Sequence, residues 1–450
     1  MNTLVIANAF NEHLVGDLET MTPERQGHLG SCGGRLTWLL EPGDVLVLPQ
    51  TPDPAFLDYV LDLKGLTPDE VTVLVPPPGR FGEGVLTGDR LLAPAFLELL
   101  RSAVARNDVG TVLPYSFDSA VAELTRELGL EKGTPGFPFL DEGGTDLLNS
   151  KCAFRAIAAG VGLPLAEGVA TGDRAVAQAF AERMLAGGRP VIVKQDHNAG
   201  CFGNDILAPH PGVAPIGASR SVVLAEPAAV ARHFDTHWDA YTGGGRLSLV
   251  VERYYPDSVP LTAELEIGDE EASLHHIAAM RMHPMLDGIE ISDSCATADR
   301  RRAFAEGSVD LCAAARAMGY RGHINIDVIL TPGGEMFFSE YNGRLGGTTH
   351  LHRIGSQFLG PGYDTSRTML TRNSWKMPSV VRAQAVLAER DLAFDPATGR
   401  GVLLACDYTR HAGAVEYCIV ADTHEEAREM EHVLLEASTG ASRAVSSPCT

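Results

Sequence analysis

The sequence predicts a mixed α/β and α+β fold of several domains, and three patterns support this prediction. Residues 1 to about 140 alternate short apolar runs with helical stretches, which indicates a small layer around a mostly parallel sheet. The middle of the chain contains β-hairpin patterns, and residues 376–450 contain two apolar runs followed by a helical pattern. With 450 residues, 45% of them hydrophobic, the chain can form two or three domains that each have a core.

The elements follow in order from this pattern. Strands are predicted at TLVIANAF, DVLVLPQ, VTVLVPPPG and GTVLPYS, with a helix over LLAPAFLELLRSAVARN before the last of them. Residues 132–149 are rich in Gly and Pro and predict a linker, after which Asn149 or Ser150 can cap a helix that begins at Lys151. RGVLLACDY and AVEYCIVADTH predict the last two strands. The predicted domains are residues 1–140, 141–375 and 376–450.

Charge and cysteine content limit the classes of function. The formal charge of −22 disfavours nucleic-acid phosphates and anionic lipid as partners. No apolar run approaches the roughly 18 residues of a membrane span, and the N-terminus lacks the basic region of a signal peptide. The eight cysteines are scattered, which predicts reduced thiols, a cytoplasmic protein and no zinc site.

The strongest chemical pattern lies in GHINIDVILTPGGEMFFSEYNGRLGG (322–347), which predicts two strands joined by a turn. Glu340, Asn342 and Arg344 are spaced two residues apart and therefore share one face. Pairing Leu330 with Glu335 makes Asp327 a diagonal neighbour of Glu340 on that face. Such oxygen ligands suit Mg²⁺. The alternative is the solvated face of an edge hairpin.

Three further patterns indicate anion or heterocycle binding. Lys194 ends an apolar strand and is followed by a loop with Gly200 and Gly203, an arrangement that can hold phosphate oxygens, although a glycine loop is also a common surface feature. Glu252 and Tyr254 follow a buried strand whose end can contact a flat heterocycle; the alternative is a plain core strand. Arg281, at the end of a further strand, can face phosphate.

Taken in order, these segments resemble the ATP-grasp superfamily of carboxylate–amine ligases. The resemblance rests on NSKCAFRAIAAGVGLP (149–164), PVIVKQDHNAGCFGN (190–204), LVVERYY (249–255) and NIDVIL…MFFSEYNGRLGG (325–347), over roughly residues 145–360. It implies a pre-ATP-grasp α/β domain first, an ATP-grasp fold of two α+β lobes, and a small C-terminal α+β domain. The overall arrangement resembles the pheganomycin-type ATP-grasp peptide ligases. Two departures are the NAGCFGN loop, where many members have consecutive glycines, and Asp327, where some members have Glu.

The resemblance also implies roles for the matching residues. Lys151 and Lys194 would contact the ATP phosphates, Gly200 and Gly203 would cover them, and Glu252 and Tyr254 would lie near the adenine or ribose. Asp327, Glu340 and Asn342 would hold Mg²⁺, with Arg344 and Arg281 as the candidate catalytic residues.

The implied activity is an ATP-dependent peptide (amide-bond) ligase that activates a carboxylic acid as an acyl phosphate. It would couple this acid to the amine of an amino acid or peptide in specialised metabolism, with ADP and phosphate as products. The alternatives are another ATP-grasp enzyme, such as a carboxylase, and a non-catalytic ATP-binding module. A homodimer is compatible with this architecture. His350 and His352 are two residues apart, so on a strand they could share a metal or a substrate, but local packing is the favoured interpretation.

Overall fold

The computed structural model of the protein describes residues 1–9, 11, 14 and 18–444. The strands in chain order are β1 (Asn2–Ile6), β2 (Val45–Val47), β3 (Thr72–Leu74), β4 (Val109–Pro114), β5 (Gly168–Thr171), β6 (Val191–Gln195), β7 (Asn204–Ala208), β8 (Arg220–Val223), β9 (Leu249–Arg253), β10 (Val259–Ile267), β11 (Ala272–Met282), β12 (Leu286–Ile291), β13 (Gly322–Leu330), β14 (Met336–Asn342), β15 (Thr368–Lys376), β16 (Gly401–Asp407) and β17 (Ala414–Ala421).

The α-helices are α1 (Pro23–Ser31), α2 (Pro54–Lys64), α3 (Gly88–Leu91), α4 (Pro94–Arg106), α5 (Ser119–Leu128), α6 (Phe137–Asp141), α7 (Gly144–Leu147), α8 (Lys151–Gly160), α9 (Arg174–Ala186), α10 (Pro227–Thr242), α11 (Ala298–Met318), α12 (Thr349–Phe358), α13 (Tyr363–Ser366), α14 (Val380–Glu389), α15 (Thr409–Ala412) and α16 (His424–Ala444). Short 3₁₀ helices lie at Leu18–Thr20, Cys32–Leu39, Pro68–Glu70 and Asp293–Cys295.

The N-terminal region forms a four-stranded sheet with the order β3-β2-β1-β4, and all of its strand pairs are parallel. All three residues of β2 are buried, as expected for a parallel sheet that is covered on both faces. The predicted α/β layer is therefore confirmed. Residues 132–149, predicted as a linker, contain the two short helices α6 and α7.

The middle region carries a five-stranded sheet with the order β5-β9-β6-β7-β8. Its core lies against α9 and α10, where Phe180, Met184 and Phe234 are buried. The strand β6 is central in this sheet, so a side chain at its end, such as Lys194, is enclosed by neighbouring strands.

The largest sheet has eight strands in the order β14-β13-β10-β11-β12-β15-β17-β16. The strands β16 and β17 from the C-terminal region add to the sheet that β10–β14 begin, so the small C-terminal domain continues this sheet and does not form one of its own. The helix α11 covers one face, where Phe304 and Leu311 are buried against Leu261 and Ile326. The opposite face of β10, β13 and β14 carries polar side chains.

No helix within the described ranges is both long enough and apolar enough to cross a membrane. The cysteines in this part of the chain are free thiols at positions 32, 152, 201, 295, 312, 406 and 418.

Candidate active site

Two carboxylates face each other across β13 and β14. The strands are antiparallel, and Asp327 is directly opposite Glu340, where Cβ atoms are typically about 4.5–5.5 Å apart. The predicted register was wrong by one residue, because Leu330 pairs with Met336 and not with Glu335. A β-bulge between Asp327 and Val328 then shifts the register again and returns both carboxylates to one face.

The bulge leaves Ser339 as the extra residue of β14, because Val328 pairs with Phe338 and Asp327 pairs with Glu340. The Ser339 Oγ accepts a hydrogen bond of 3.0 Å from the Lys194 Nζ. The same Nζ lies 2.6 Å from Glu252 Oε1. The bulge therefore links the carboxylate pair on the large sheet to the buried lysine on the five-stranded sheet.

The two carboxylates have different protonation preferences. Burial and the neighbouring Glu340 charge raise the pKa of Asp327. Burial also acts on Glu340, but the charges of Lys151 and Lys194 outweigh it and lower the pKa of that carboxyl. Glu340 is therefore the ionised member of the pair. Two half-buried carboxylates in direct opposition, with hard oxygen atoms and lysines beside them, fit a small divalent cation that would neutralise them.

Lys151 and Lys194 approach the pair from different elements. Lys151 lies in the first turn of α8, and its Nζ is 3.6 Å from Glu340 Oε2 and donates to the Asn198 carbonyl at 2.9 Å. Both lysine side chains are buried, so each requires an anion nearby. The structure thus brings together the predicted residues Lys151, Lys194, Asp327 and Glu340.

A cavity of about 130 Å³ opens beside these charges, between the five-stranded and the eight-stranded sheets. Lys194, Glu252, Asp327 and Glu340 line its charged end. Its apolar wall comes from side chains of both sheets and of the segment before β8, namely Ile192, Ile216, Met280 and Met282. Tyr254, predicted as a nucleotide contact, lines the same cavity. Because one end of the cavity is charged and its wall is apolar, the cavity suits a ligand in which a flat apolar heterocycle carries an anionic chain.

Glu252 was predicted near an adenine or ribose, and it lines this cavity with its carboxylate already paired. Its Oε2 accepts from the Arg155 Nη1 at 2.6 Å, while its Oε1 faces Lys194. Sequence reasoning missed Arg155. The signal was present, since Arg155 is four residues after Lys151 in α8 and such residues lie on one helix face.

The loop between β6 and β7 covers one side of the cavity, and Cys201 is its lining residue. Gly200 and Cys201 both have positive φ, at 68° and 65°, so this loop turns through the left-handed region. A Cβ on Gly203 would meet the Asn198 side chain at 2.8 Å. Gly200 and Gly203 therefore shape the loop, and neither lines the cavity.

The start of this loop is held against α8 by Asp196, a second residue that sequence reasoning missed. Asp196 Oδ1 accepts from the Ser150 Oγ and from the Cys152 backbone N–H, both at 2.8 Å. Ser150 is the N-cap of α8, and it is one of the two residues that the sequence predicted for this position. Asp196 thereby fixes the helix turn that carries Lys151.

Asn342 and Arg344 extend the polar face towards the N-terminal domain. The strand β14 ends at Asn342, and Arg344 lies in the turn that follows. Its Nη2 donates to Asn342 Oδ1 at 2.9 Å, and its guanidinium lies beside the Tyr115 ring. The Asn342 oxygen is therefore shared with Arg344, so Asp327 and Glu340 are the stronger candidates for a metal. No three His, Cys, Asp or Glu side chains of the described residues form a metal site by themselves.

The prediction that Arg281 faces the phosphates is not supported by its position. Met280 and Met282 line the cavity, and Arg281 alternates to the other face of β11. Its guanidinium forms two bonds to Glu431 of α16, at 2.8 and 3.0 Å. It also donates to the Thr371 carbonyl at 2.7 Å. Arg281 therefore links the sheet to the C-terminal helix.

His350 and His352 lie on the helix α12, so the idea that they share a strand face is wrong. His350 is buried against Glu416, with 3.1 Å between Nε2 and Oε1. The His352 Nδ1 is 3.0 Å from the Tyr363 hydroxyl. Helical spacing at i and i+2 directs the two side chains to different neighbours.

Comparison with known proteins agrees with this architecture. Residues 33–130 match the model of the Pre ATP-grasp domain, and residues 382–434 match the model of the PGM1 C-terminal domain. No curated protein matches the chain.

Solved structures with a similar fold include three ligase-type enzymes. The biotin carboxylase–β-γ-ATP complex from Campylobacter jejuni has a TM-score of 0.59 at 13% identity, covering 97% of this chain and 91% of that one. A second is the biotin carboxylase domain of 2-oxoglutarate carboxylase from Hydrogenobacter thermophilus, in complex with MgADP, ADP and bicarbonate. It has a TM-score of 0.58 at 13% identity, and the match covers 97% of this chain and 89% of that one. The third is N5-carboxyaminoimidazole ribonucleotide synthetase from Thermus thermophilus. It has a TM-score of 0.57 at 14% identity, and the match covers 97% of this chain and 98% of that one.

The chain has an ATP-grasp-like fold. A pre-ATP-grasp domain precedes it and a small C-terminal domain follows it, as the sequence predicted.

Proposed function

We propose that the chain is an ATP-dependent carboxylate–amine ligase, and specifically a peptide ligase of specialised metabolism that resembles the pheganomycin-type enzymes. The observation that carries this proposal is the opposed Asp327–Glu340 pair, with Lys151 and Lys194 beside it, at the charged end of a half-apolar cavity. Opposed carboxylates beside buried ammonium groups in a cleft are typical of a site that handles charged substrates. The predicted domains, residues 1–140, 141–375 and 376–450, are part of this proposal.

In the proposed reaction, a carboxylate oxygen of the acid attacks the γ-phosphorus of ATP and the bond to ADP breaks. The amine nitrogen then attacks the carbonyl carbon of the acyl phosphate, phosphate leaves with the C–O bond electrons, and the nitrogen loses a proton. Phosphoryl transfer of this kind depends mainly on positioning and on neutralisation of phosphate charge.

The chain's own residues supply these functions. Lys151 and Lys194 would contact phosphate oxygens, and the apolar end of the cavity, with Tyr254, would hold the adenine. Asp327 and Glu340, with Asn342, would hold Mg²⁺, which when bound supplies charge neutralisation at the phosphates. Arg344 would stabilise the oxyanion that forms at the carbonyl, because it lies past the metal end of the same face. The β6–β7 loop would exclude water from the acyl phosphate.

The proposal is tested by incubating the protein with ATP, Mg²⁺ and pooled carboxylic acids, with and without pooled amino acids and dipeptides. We expect ADP and phosphate, a mass gain in one acid, and hydroxamate when hydroxylamine replaces the amine. The Glu340→Gln variant is the negative control. AMP and pyrophosphate as products would contradict the proposal.

The structural similarity to biotin carboxylase favours one second candidate, a carboxylase. In that case ADP release would depend on bicarbonate and not on the amine. ATP binding without turnover under any of these conditions would indicate a non-catalytic module.

A further inference from the structure

The loop between β6 and β7 contacts the first domain as well as the candidate active site. Its Asn198 carbonyl accepts a hydrogen bond of 2.9 Å from the Lys151 Nζ, which is one of the two lysines beside the carboxylate pair. The next residue, Ala199, donates its backbone N–H to the Leu14 carbonyl at 2.7 Å. Two neighbouring residues of one loop are therefore held by different domains.

A second contact joins the same loop to α1 of the first domain. The Arg25 guanidinium lies over the Phe202 ring, 4.6 Å from its centroid, which is within the range of a cation–π interaction. Arg25 is exposed in the first turn of α1, and its backbone N–H donates to the Oγ of the N-cap residue Thr22. Because a capped helix fixes the backbone of Arg25, the Phe202 ring meets a partner with a defined position.

The backbone of the loop is shaped so that both contacts can form. Gly200 and Cys201, which separate Ala199 from Phe202, have φ angles in the left-handed region. For a residue with a Cβ, such as Cys201, this conformation costs free energy and persists where surrounding contacts compensate for it. On the other side of the turn, the Phe202 carbonyl accepts from the Ser219 Oγ at 2.8 Å. The loop is therefore held on both sides of its strained residue.

One apolar cluster of the first domain reaches two segments of the candidate active site. Ala199 packs against this cluster, which contains Leu14 and Tyr115. Leu345, the neighbour of Arg344, belongs to the same cluster and donates its backbone N–H to the Tyr115 carbonyl at 3.0 Å. The β6–β7 loop comes from the five-stranded sheet and the Arg344 turn follows a strand of the eight-stranded sheet. The first domain therefore fixes one segment relative to the other.

We propose that the first domain is a latch for the β6–β7 loop, and that Arg25 and Phe202 are positioning residues for the ligase reaction. The latch holds the loop over the proposed phosphate site while the acyl phosphate is present, and it thereby keeps water away from that intermediate. A cation–π contact at an exposed site is weak enough to break, so the loop can open for ATP to enter. This inference rests on the proposed ligase function.

Amide hydrogen exchange of the loop tests the latch on the full chain. The peptide that covers residues 196–204 is followed in the wild type, Arg25→Gln, Phe202→Leu and the double variant. We expect exchange to be about 2–5-fold faster in each single variant, the factor that corresponds to a cation–π contact of about 0.5–1 kcal/mol. The double variant should exchange no faster than Phe202→Leu, because both changes remove one contact. Wild-type exchange in the single variants, or additive effects in the double variant, would overturn the inference.

Two further variants separate the cation–π contact from a general loss of structure. Arg25→Lys keeps a cation over the ring and should restore most of the protection of the loop. Arg183→Gln removes another exposed arginine that lies over a phenylalanine, Phe180 of α9, at 5.1 Å, and it should leave the exchange of the loop unchanged. Because Arg25 and Arg183 are on the surface, both glutamine variants should unfold close to the temperature of the wild type.

Product ratios then show whether the latch acts on the reaction. With acid, ATP and hydroxylamine, an open loop lets water convert the acyl phosphate back to acid and phosphate. The excess of ADP over hydroxamate should therefore grow about 2–5-fold in Arg25→Gln, and Arg25→Lys should reverse most of this change.

The same assay distinguishes failure of this inference from failure of the ligase proposal. A merely structural defect in Arg25→Gln would lower ADP and hydroxamate together and leave their ratio unchanged, which would overturn the positioning role alone. If the wild-type protein forms no hydroxamate with any acid and ATP, the ligase proposal itself fails, whereas hydrogen exchange still decides whether the first domain holds the loop.

Discussion

Two clusters of charged side chains in this protein have opposite properties. The site cluster consists of Lys151, Arg155, Lys194, Glu252, Asp327 and Glu340 and opens to the cavity between the five-stranded and the eight-stranded sheets. The junction cluster consists of Arg35, His350, Tyr408 and Glu416 and lies where the first domain, α12 and the C-terminal strands meet.

The junction cluster is closed. Its single carboxylate, Glu416, accepts from the Arg35 Nε at 2.7 Å, from the Tyr408 hydroxyl at 3.0 Å and from the His350 Nε2 at 3.1 Å. In the site cluster, by contrast, two carboxylates oppose each other directly beside a cavity. Buried charge alone therefore does not identify a functional site. A pair of opposed carboxyl groups that a ligand could neutralise is a better indication of a functional site.

The largest effect on activity is expected for Asp327→Asn. Turnover should fall by about 10²-fold or more, because one of the two carboxylates proposed to bind Mg²⁺ is lost. The free energy of unfolding should change little, since burial and the Glu340 charge raise the pKa of Asp327 and leave it the protonated member of the pair, which an amide replaces without loss of charge. ADP release and urea denaturation measure the two quantities. A variant with turnover near the wild-type value would refute the assignment of the site.

Lys194→Met should weaken ATP binding by about 10–100-fold, because a buried cation beside the proposed phosphate position is removed. It should also lower the unfolding temperature, since Glu252 would keep Arg155 as its one cationic partner. Calorimetric titration with ATP and Mg²⁺ measures the first effect. Lys132→Met, at an exposed lysine, is the matched control. Unchanged ATP affinity in the Lys194 variant would contradict the proposed nucleotide site.

Glu416→Gln, in the junction cluster, should reduce stability without affecting the site. We expect a loss of about 3 kcal/mol in the free energy of unfolding at pH 7 and little change in ATP affinity. The charges of Arg35 and His350 outweigh burial and lower the pKa of Glu416 from 4.5 to about 2. Its stabilising effect is therefore complete above about pH 4.5 and disappears as the pH falls towards 2.

The difference in stability between wild type and Glu416→Gln should accordingly shrink over that range of pH. Urea denaturation at several pH values between about 7 and 3 measures it. A difference that stays constant with pH would show that the lost stability has another cause than the charge of Glu416.

The smallest effect is expected for Arg281→Gln, with about 1–3 kcal/mol lost from the free energy of unfolding because Glu431 loses its bidentate partner. Turnover should be unchanged at a temperature where the variant is folded. Arg382→Gln, in the exposed pair with Glu389, should change stability by less than about 0.5 kcal/mol and serves as a reference. A large loss of turnover in the Arg281 variant would instead support the original prediction of a catalytic arginine.

Sequence reasoning predicted most of the residues that the fold brings together at the site. Lys194 and the Glu340–Asn342 spacing could be read from strand patterns, which depend on local geometry alone, whereas Lys151 entered the predicted site through the resemblance. The glycine-rich segment 27–35 forms part of α1 and a 3₁₀ helix, where Arg35 reaches Glu416. That contact joins residues 381 positions apart, and no local pattern reports it.

The sequence by itself indicated the strands of the N-terminal α/β layer, the helix that begins at Lys151, the hairpin of β13 and β14 and the shared face of Glu340 and Asn342. Only the tertiary structure decided that Asp327 opposes Glu340, because a bulge at Ser339 sets the register between strands. It also decided that Arg281 pairs with Glu431 and that Arg344 donates to Asn342 and lies beside Tyr115 of the first domain. Alternation along one strand is local, whereas register and domain contacts depend on how separate elements pack.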